Sequence, residues 1–127
     1  MYIVAFDPGK TTGVVKVKVD TVKDPEIILS DDIYYYMLHK HLEDLVKDAG
    51  HVVIEDVIQT GSLSAGKVAQ IIAVGMIEYE CLKNNITYSY VPPNRTKNYK
   101  YVPEQITMHH AKDAWRVYMA WVNRPRS

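Results

Sequence analysis

Three acidic residues stand where folding would bring them together: Asp7, Glu55 and Asp113. Asp7 and Glu55 each follow a short, mainly apolar run, Tyr2–Phe6 and His51–Ile54, with the length and branching typical of a buried strand. If the two strands are parallel neighbours, both carboxylates lie at the same edge of the sheet. Two carboxylates placed there repel each other unless a cation or a proton lies between them. This pattern therefore predicts a shared site.

The third carboxylate is expected on a helix that runs from about His109 to Val122. Its apolar face consists of Ala114, Val117 and Trp121. One further turn back, the same face carries His110 and Asp113. An ionised Asp on the docking face of a helix is costly unless it meets a cation or several hydrogen-bond donors. A lone His on such a face is usually a core residue, but its one-turn spacing from Asp113 makes His110 a candidate for the same site.

A cluster of carboxylates is the ligand set that hard divalent cations such as Mg²⁺ and Mn²⁺ prefer. The chemistry that needs such ions is phosphodiester hydrolysis, in which one ion lowers the pKa of the attacking water and a second stabilises the leaving oxygen. We therefore expect Asp7, Glu55 and Asp113 to bind Mg²⁺, for which Mn²⁺ should substitute. His110 is expected to be a further ligand or to position the water.

The elements that would hold these residues follow from turn residues and apolar periodicity. The expected strands are Tyr2–Phe6, Gly13–Val19, Glu26–Ser30, His51–Glu55 and Thr87–Val91. Asp31 and Asp32 are expected to cap a helix that ends at Gly50. The apolar positions of that helix are Leu38, Leu42, Leu45 and Val46. A helix between two buried strands implies a right-handed crossover and parallel strands, which is the arrangement that the shared site requires.

A second helix, from about Ser64 to Leu82, is apolar at almost every position between Val68 and Ile77. A helix that is apolar all round needs two partners, of which the sheet is one. We expect a second subunit to be the other, in a two-fold homodimer with this helix at the interface. The alternative is that the Pro92–Met108 segment of the same chain covers it.

Three consecutive tyrosines, Tyr34 to Tyr36, precede the first helix or begin it. Aromatic side chains usually bury much of their surface. We therefore interpret this triplet as core and surface packing rather than as a stack for nucleic-acid bases.

The composition excludes several classes of protein. The 127 residues suit a single domain, and no apolar run approaches the length of a membrane span. The apolar N-terminus lacks the basic region of a secretory signal. A single cysteine, Cys81, makes no internal disulfide, so a reducing cytoplasm is expected. Net charge is zero, which argues against a protein that coats nucleic acid by bulk charge but allows a local basic groove.

Five short motifs, in order along the chain, resemble those of the RuvC-like Holliday junction resolvases of the ribonuclease H superfamily. They are Ile3–Gly9 with Thr12-Gly13, Val53–Glu55, Lys67–Gln70, Pro93–Lys97 and His110–Ala114. The resemblance implies a single nuclease domain over residues 1–127, with a ribonuclease H-like α/β fold. That fold has a five-stranded mixed sheet, its first three strands antiparallel, and helices on both faces. It also implies a metal-dependent endodeoxyribonuclease that resolves four-way junctions in bacterial or phage-infected cytoplasm.

Five basic residues lie beside the acidic motifs in sequence and are expected to contact DNA: Lys10, Lys67, Arg95, Lys97 and Lys112. The chain departs from the family in two respects. The segment from Asn98 to Met108 is short, and Ile58 stands where family members often carry an aromatic wedge.

Other functions remain open at this point. A nuclease of the same fold could act on flaps, single strands or RNA–DNA hybrids with identical catalytic residues. A non-catalytic nucleic-acid-binding module would have no use for the full acidic set. Half of an actin-like ATPase would need a second phosphate loop, which this sequence lacks.

Overall fold

The computed structural model describes residues 1–20, 24–57 and 63–125, and in these ranges a five-stranded sheet is covered by helices on both faces. The strands are β1 (Tyr2–Asp7), β2 (Thr11–Lys18), β3 (Glu26–Tyr34), β4 (Ala49–Glu55) and β5 (Tyr88–Val91). The α-helices are α1 (Leu42–Val46), α2 (Ala65–Lys83), α3 (Pro93–Thr96) and α4 (His109–Val122), and a 3-10 helix spans Tyr35–Lys40.

The central strand of the sheet is β1, in the order β3-β2-β1-β4-β5. The pairings of β1 with β2 and of β2 with β3 are antiparallel, whereas β1 with β4 and β4 with β5 are parallel. Every strand of this described sheet except β2 therefore runs in the same direction and ends at one edge. The expected mixed sheet and ribonuclease H-like topology are confirmed.

The two faces of β1 belong to two separate apolar cores, which explains why its residues are apolar at every position rather than at alternate ones. Ile3 and Ala5 pack under α4, together with residues of the 99–106 segment. Val4 and Phe6 pack under the 3-10 helix, α1 and α2. All four side chains are fully buried.

The first helical region differs from the prediction. Asp31 and Asp32 do not cap the helix that follows them, because β3 continues to Tyr34 in register with β2. Only after Tyr34 does the chain turn into the 3-10 helix and then α1, which ends at Val46. Gly50 ends no helix and lies inside β4. Pairing with β2 supplies ladder hydrogen bonds that outweigh the local preference of Asp for a cap.

The two long helices agree with prediction. Helix α2 begins after Ser64, whose side chain accepts a hydrogen bond from the Lys67 amide, and α4 spans the predicted residues. The wedge position Ile58 lies outside the described residues. No helix in the described part of the chain is long and apolar enough to cross a membrane.

The first turn of α4 lies directly against Gly13 of β2. A Cβ atom built on Gly13 would lie 1.9 Å from the carbonyl oxygen of His110 and 2.9 Å from the amide nitrogen of Ala111. Both are backbone atoms of a helix, so no side-chain rotation relieves the clash. Glycine is required here by the close approach of two backbones.

We predict that Gly13→Ala destabilises the protein by about 3 kcal/mol or more, because α4 must move away from the sheet. Gly66→Ala is the matched control, since a Cβ on Gly66 meets only the Ser64 hydroxyl, at 4.0 Å. That variant should unfold at or above the wild-type urea concentration, as Ala is the better helix former. A Gly13→Ala protein with the wild-type urea midpoint would show that α4 does not dock this closely.

Candidate metal centre

Three of the four predicted site residues converge at the edge of the sheet where β1 ends. One ligand atom from each of Asp7, His110 and Asp113 lies within 4.8 Å of the other two. Asp7 is the last residue of β1, and His110 and Asp113 project from successive turns of α4, which packs across β1 and β2. All three side chains are partly buried.

Glu55 adjoins this group through Asp7, with which it shares a side-chain hydrogen bond. It is the last residue of β4, the parallel neighbour of β1, so the two strands deliver both carboxylates to one edge. Its Oε2 also accepts a 2.8 Å hydrogen bond from the Thr96 hydroxyl at the end of α3. The structure therefore places all four predicted residues at one site.

The electrostatics of this site favour a cation. Burial, followed by the charges of Glu55 and Asp113, raises the pKa of Asp7 to about 8. Burial also raises the pKa of Glu55. Near neutral pH, and with no cation bound, a proton on Asp7 is therefore shared with Glu55. The donor set, three carboxylates and an imidazole, fits a divalent ion that would take the place of that proton.

Two further side chains hold the acidic residues in place, one from α3 and one from α4. Thr96 is buried and fixes Glu55. Arg116 donates through Nη1 to Asp113 Oδ1 and through Nε to the Tyr99 carbonyl oxygen, both at 2.7 Å. It thereby ties Asp113 to the segment that follows α3. These contacts restrict the carboxylates to one geometry, as a preorganised site needs.

Asp32 is the residue that sequence reasoning placed on the wrong helix. Its two carboxylate oxygens accept hydrogen bonds from the amides of His110, at 3.1 Å, and Ala111, at 2.7 Å. Met108, the N-cap residue of α4, has no side chain that could do this. Asp32 thus caps α4 from across the sheet, and it orients the turn that carries His110. The tendency of Asp32 to cap a helix was visible in the sequence, but the His110 amide that it binds lies 78 residues away.

The structure places two of the five predicted basic residues, Lys97 and Lys112, beside the acidic group. Lys97 lines a cavity of about 340 Å³ that is also lined by Asp113, and Lys112 lines a second cavity of about 450 Å³. Lys100 and Arg116 line both cavities and were not predicted. Lys10 is exposed in the turn after Asp7. Arg95 lies in α3, and Lys67 in the first turn of α2.

Comparison with solved structures finds the same fold. The sequence matches no protein-family model and no curated protein. Two structures of Thermus thermophilus RuvC, one in complex with a Holliday junction substrate, align with TM-scores of 0.75 and 0.74 at 12% identity. Each alignment covers 94% of this chain and 92% of the RuvC chain. The yeast mitochondrial Holliday junction resolvase Ydc2 aligns at 8% identity with a TM-score of 0.52, over 76% of this chain and 54% of its own.

We predict that Asp7→Asn stabilises the metal-free protein at pH 8 and leaves it unchanged near pH 4. Because the pKa of Asp7 is higher in the folded state than its usual 3.8, the free energy of unfolding falls as pH rises between these values. Asparagine removes that loss and still donates a hydrogen bond to Glu55. A gain of about 1–3 kcal/mol at pH 8 is expected.

Urea unfolding with a chelator at pH 4, 6 and 8 measures this difference. Asp24→Asn is the matched control, since Asp24 is exposed and precedes β3 at the opposite edge of the sheet. Equal stability of Asp7→Asn and wild type at pH 8 would contradict the proposed crowding of carboxylates.

Proposed function

We propose that this chain is a metal-dependent endonuclease that hydrolyses phosphodiester bonds in branched DNA, with four-way junctions as its substrate. The observation that carries the proposal is the convergence of Asp7, Glu55, His110 and Asp113 at one edge of a RuvC-like sheet. A fold alone does not specify a function. The crowded carboxylates support the proposal separately, because they are a feature of the site and not of the fold alone.

Mg²⁺ is the proposed cofactor, and Mn²⁺ should substitute for it. Asp7, Glu55 and Asp113 would hold the metal, and His110 would add a nitrogen ligand or orient the attacking water. The bound metal supplies an activated water and charge stabilisation for the leaving oxygen. The protein supplies the geometry, because Thr96 holds Glu55, Arg116 holds Asp113 and Asp32 holds the turn of α4 that carries His110.

A basic border beside the acidic group supports DNA as the substrate. Lys97, Lys100, Lys112 and Arg116 line the two cavities that adjoin the site. Their positive charge would bind the phosphates on either side of the bond to be cleaved, without sequence preference. Zero net charge is consistent with this arrangement, because the basic and acidic groups cancel in the total. With this substrate, the protein would act in the cytoplasm of a bacterium or of a phage-infected host.

A panel of matched DNA substrates tests the function. The wild-type protein with Mg²⁺ or Mn²⁺ is expected to cleave a four-way junction in preference to flap, single-stranded, duplex and RNA–DNA hybrid substrates. Asp7→Asn should lower the cleavage rate by at least about a thousandfold, whereas Asp24→Asn should retain it. Preferred cleavage of a flap, a single strand or a hybrid would assign the same chemistry to that substrate. Full cleavage by Asp7→Asn would contradict the mechanism.

Resolution of a four-way junction requires two symmetric cuts, so we further propose that the active form is a two-fold dimer. One stripe of α2 is exposed, and its residues are alternately four and three positions apart along the helix. It consists of Val68, Ile72, Gly75, Tyr79 and Leu82. Residues of the alternative cover, Tyr99, Val102 and Ile106, pack instead with α4 on the opposite face of the sheet. The stripe is therefore available to a second α2 helix.

We predict that the protein sediments as a dimer at micromolar concentration and that Ile72→Glu converts it to a monomer, since it places two charges in the apolar interface. Ile28→Glu is the matched control, because Ile28 is exposed to a similar degree on β3. A wild type that stays monomeric both alone and on junction DNA would contradict paired cleavage.

A further inference from the structure

Two of the three consecutive tyrosines form an exposed aromatic stack. The rings of Tyr34 and Tyr36 lie 5.6 Å apart between centroids, with an angle of 13° between their planes. The two residues are 54% and 58% exposed. One face of each ring covers the other ring, so a flat, solvent-facing aromatic surface remains on the outside of the pair. Tyr34 and Tyr36 are thus the surface members of the triplet.

Tyr35, between them, is the residue that packs. It contacts the apolar core beneath the 3-10 helix, and its ring meets that of Tyr36 edge-on at 5.8 Å. Its backbone amide donates a 2.9 Å hydrogen bond to the carbonyl oxygen of Lys10. The residue between the two exposed tyrosines is therefore anchored, so the fold fixes the position of the pair.

The aromatic pair lies at the same edge of the sheet as the acidic group. Asp7 pairs with Gly13 and Gly13 with Asp32, so Tyr34 ends β3 two residues beyond that row. The spacing of about 4.8 Å between strands and about 3.3 Å per residue places the Cα atoms of Tyr34 and Asp7 roughly 12 Å apart. A strand whose phosphate lies at the carboxylates can reach this distance with one of its next few bases.

We propose that Tyr34 and Tyr36 form a stacking platform for an unpaired base of the nucleic acid that is bound at the acidic site. This inference rests on the proposed nuclease function. Every nucleobase has a π-face, so such a platform tolerates any sequence but requires a base that is free of its partner. Two exposed lysines bear the charge that phosphates need: Lys10, whose carbonyl oxygen accepts the hydrogen bond from the Tyr35 amide, and Lys40, which follows Tyr36 in the same 3-10 helix. Among the nearby acids, Asp32 already binds the amides of α4.

A platform of this kind adds a means of selection that the metal site lacks. The acidic group recognises only a phosphodiester bond, which every DNA provides. An exposed aromatic surface about 12 Å away gains a contact only where a base is unstacked, as at a branch point or in a single strand. The platform should therefore strengthen binding to branched DNA and leave binding to intact duplex unchanged.

The test measures binding in the Asp7→Asn background, with junctions that carry 2-aminopurine at successive positions from the branch point. The unmodified platform should quench the fluorescence at one or two positions. Replacing both tyrosines by Leu keeps apolar bulk but removes the flat rings. This change should weaken junction binding at least about tenfold and abolish the quenching. Replacing both by Phe should retain both properties, and duplex affinity should stay unchanged throughout.

The control is the Ile28→Ala, Leu29→Ala double variant, whose side chains are exposed on the same strand but away from the carboxyl edge. It should bind and quench as the parent does.

If the Leu pair binds junctions within twofold of the parent and still quenches, the platform is refuted, while cleavage by the wild type would leave the nuclease function intact. If the parent binds and quenches but the wild type cleaves no DNA, the proposed function fails and the platform stands. A parent that binds no DNA would refute both.

Discussion

The contact between the first turn of α4 and the edge of the sheet is the constraint on which the site depends. Gly13 lets the two backbones approach, and Asp32 accepts hydrogen bonds from the amides of His110 and Ala111. An amide at a helix N-terminus carries a partial positive charge, so a carboxylate partner both caps and orients the helix. Because His110 and Asp113 follow within one turn, their position relative to Asp7 is set by this contact. A shift of α4 would separate His110 and Asp113 from Asp7 even if all three residues were unchanged.

The acidic group lowers the stability of the fold that holds it, and the proposed function requires it. Three carboxylates meet where burial already disfavours charge, and the raised pKa of Asp7 is the expression of that cost. Strain of this kind persists only when the surrounding contacts are stronger than the repulsion. Here Thr96 and Arg116 hold Glu55 and Asp113 from outside, and the doubly covered β1 holds Asp7. A bound cation would turn the same repulsion into attraction.

In the proposed function, substrate recognition would be spread around the acidic group rather than contained in it. On one side, the cavities beside Asp113 are lined by basic groups that would bind phosphates regardless of sequence. On the other side, the end of β3 presents flat aromatic surface that only an unpaired base can use. Together these features would make a site that recognises the shape of DNA rather than its sequence. Pairing of the exposed α2 stripes in a dimer would supply a second copy of that site.

The sequence by itself determined the elements whose signals are local. The unbroken apolar run of β1 predicted a strand covered on both faces, and the spacing of His110, Asp113 and Ala114 predicted which face of α4 docks on the sheet. A carboxylate after each of two buried strands predicted the shared site, because parallel strands end at a common edge. What only the tertiary structure decided was long-range pairing. Asp32 favours a helix cap by its chemistry, yet β2 draws it into a strand and the helix that it caps begins 77 residues later. Tyr34 and Tyr36 face solvent because Tyr35 is fixed to the core and to Lys10, and a pattern of three identical residues contains no information about which of them turns inward.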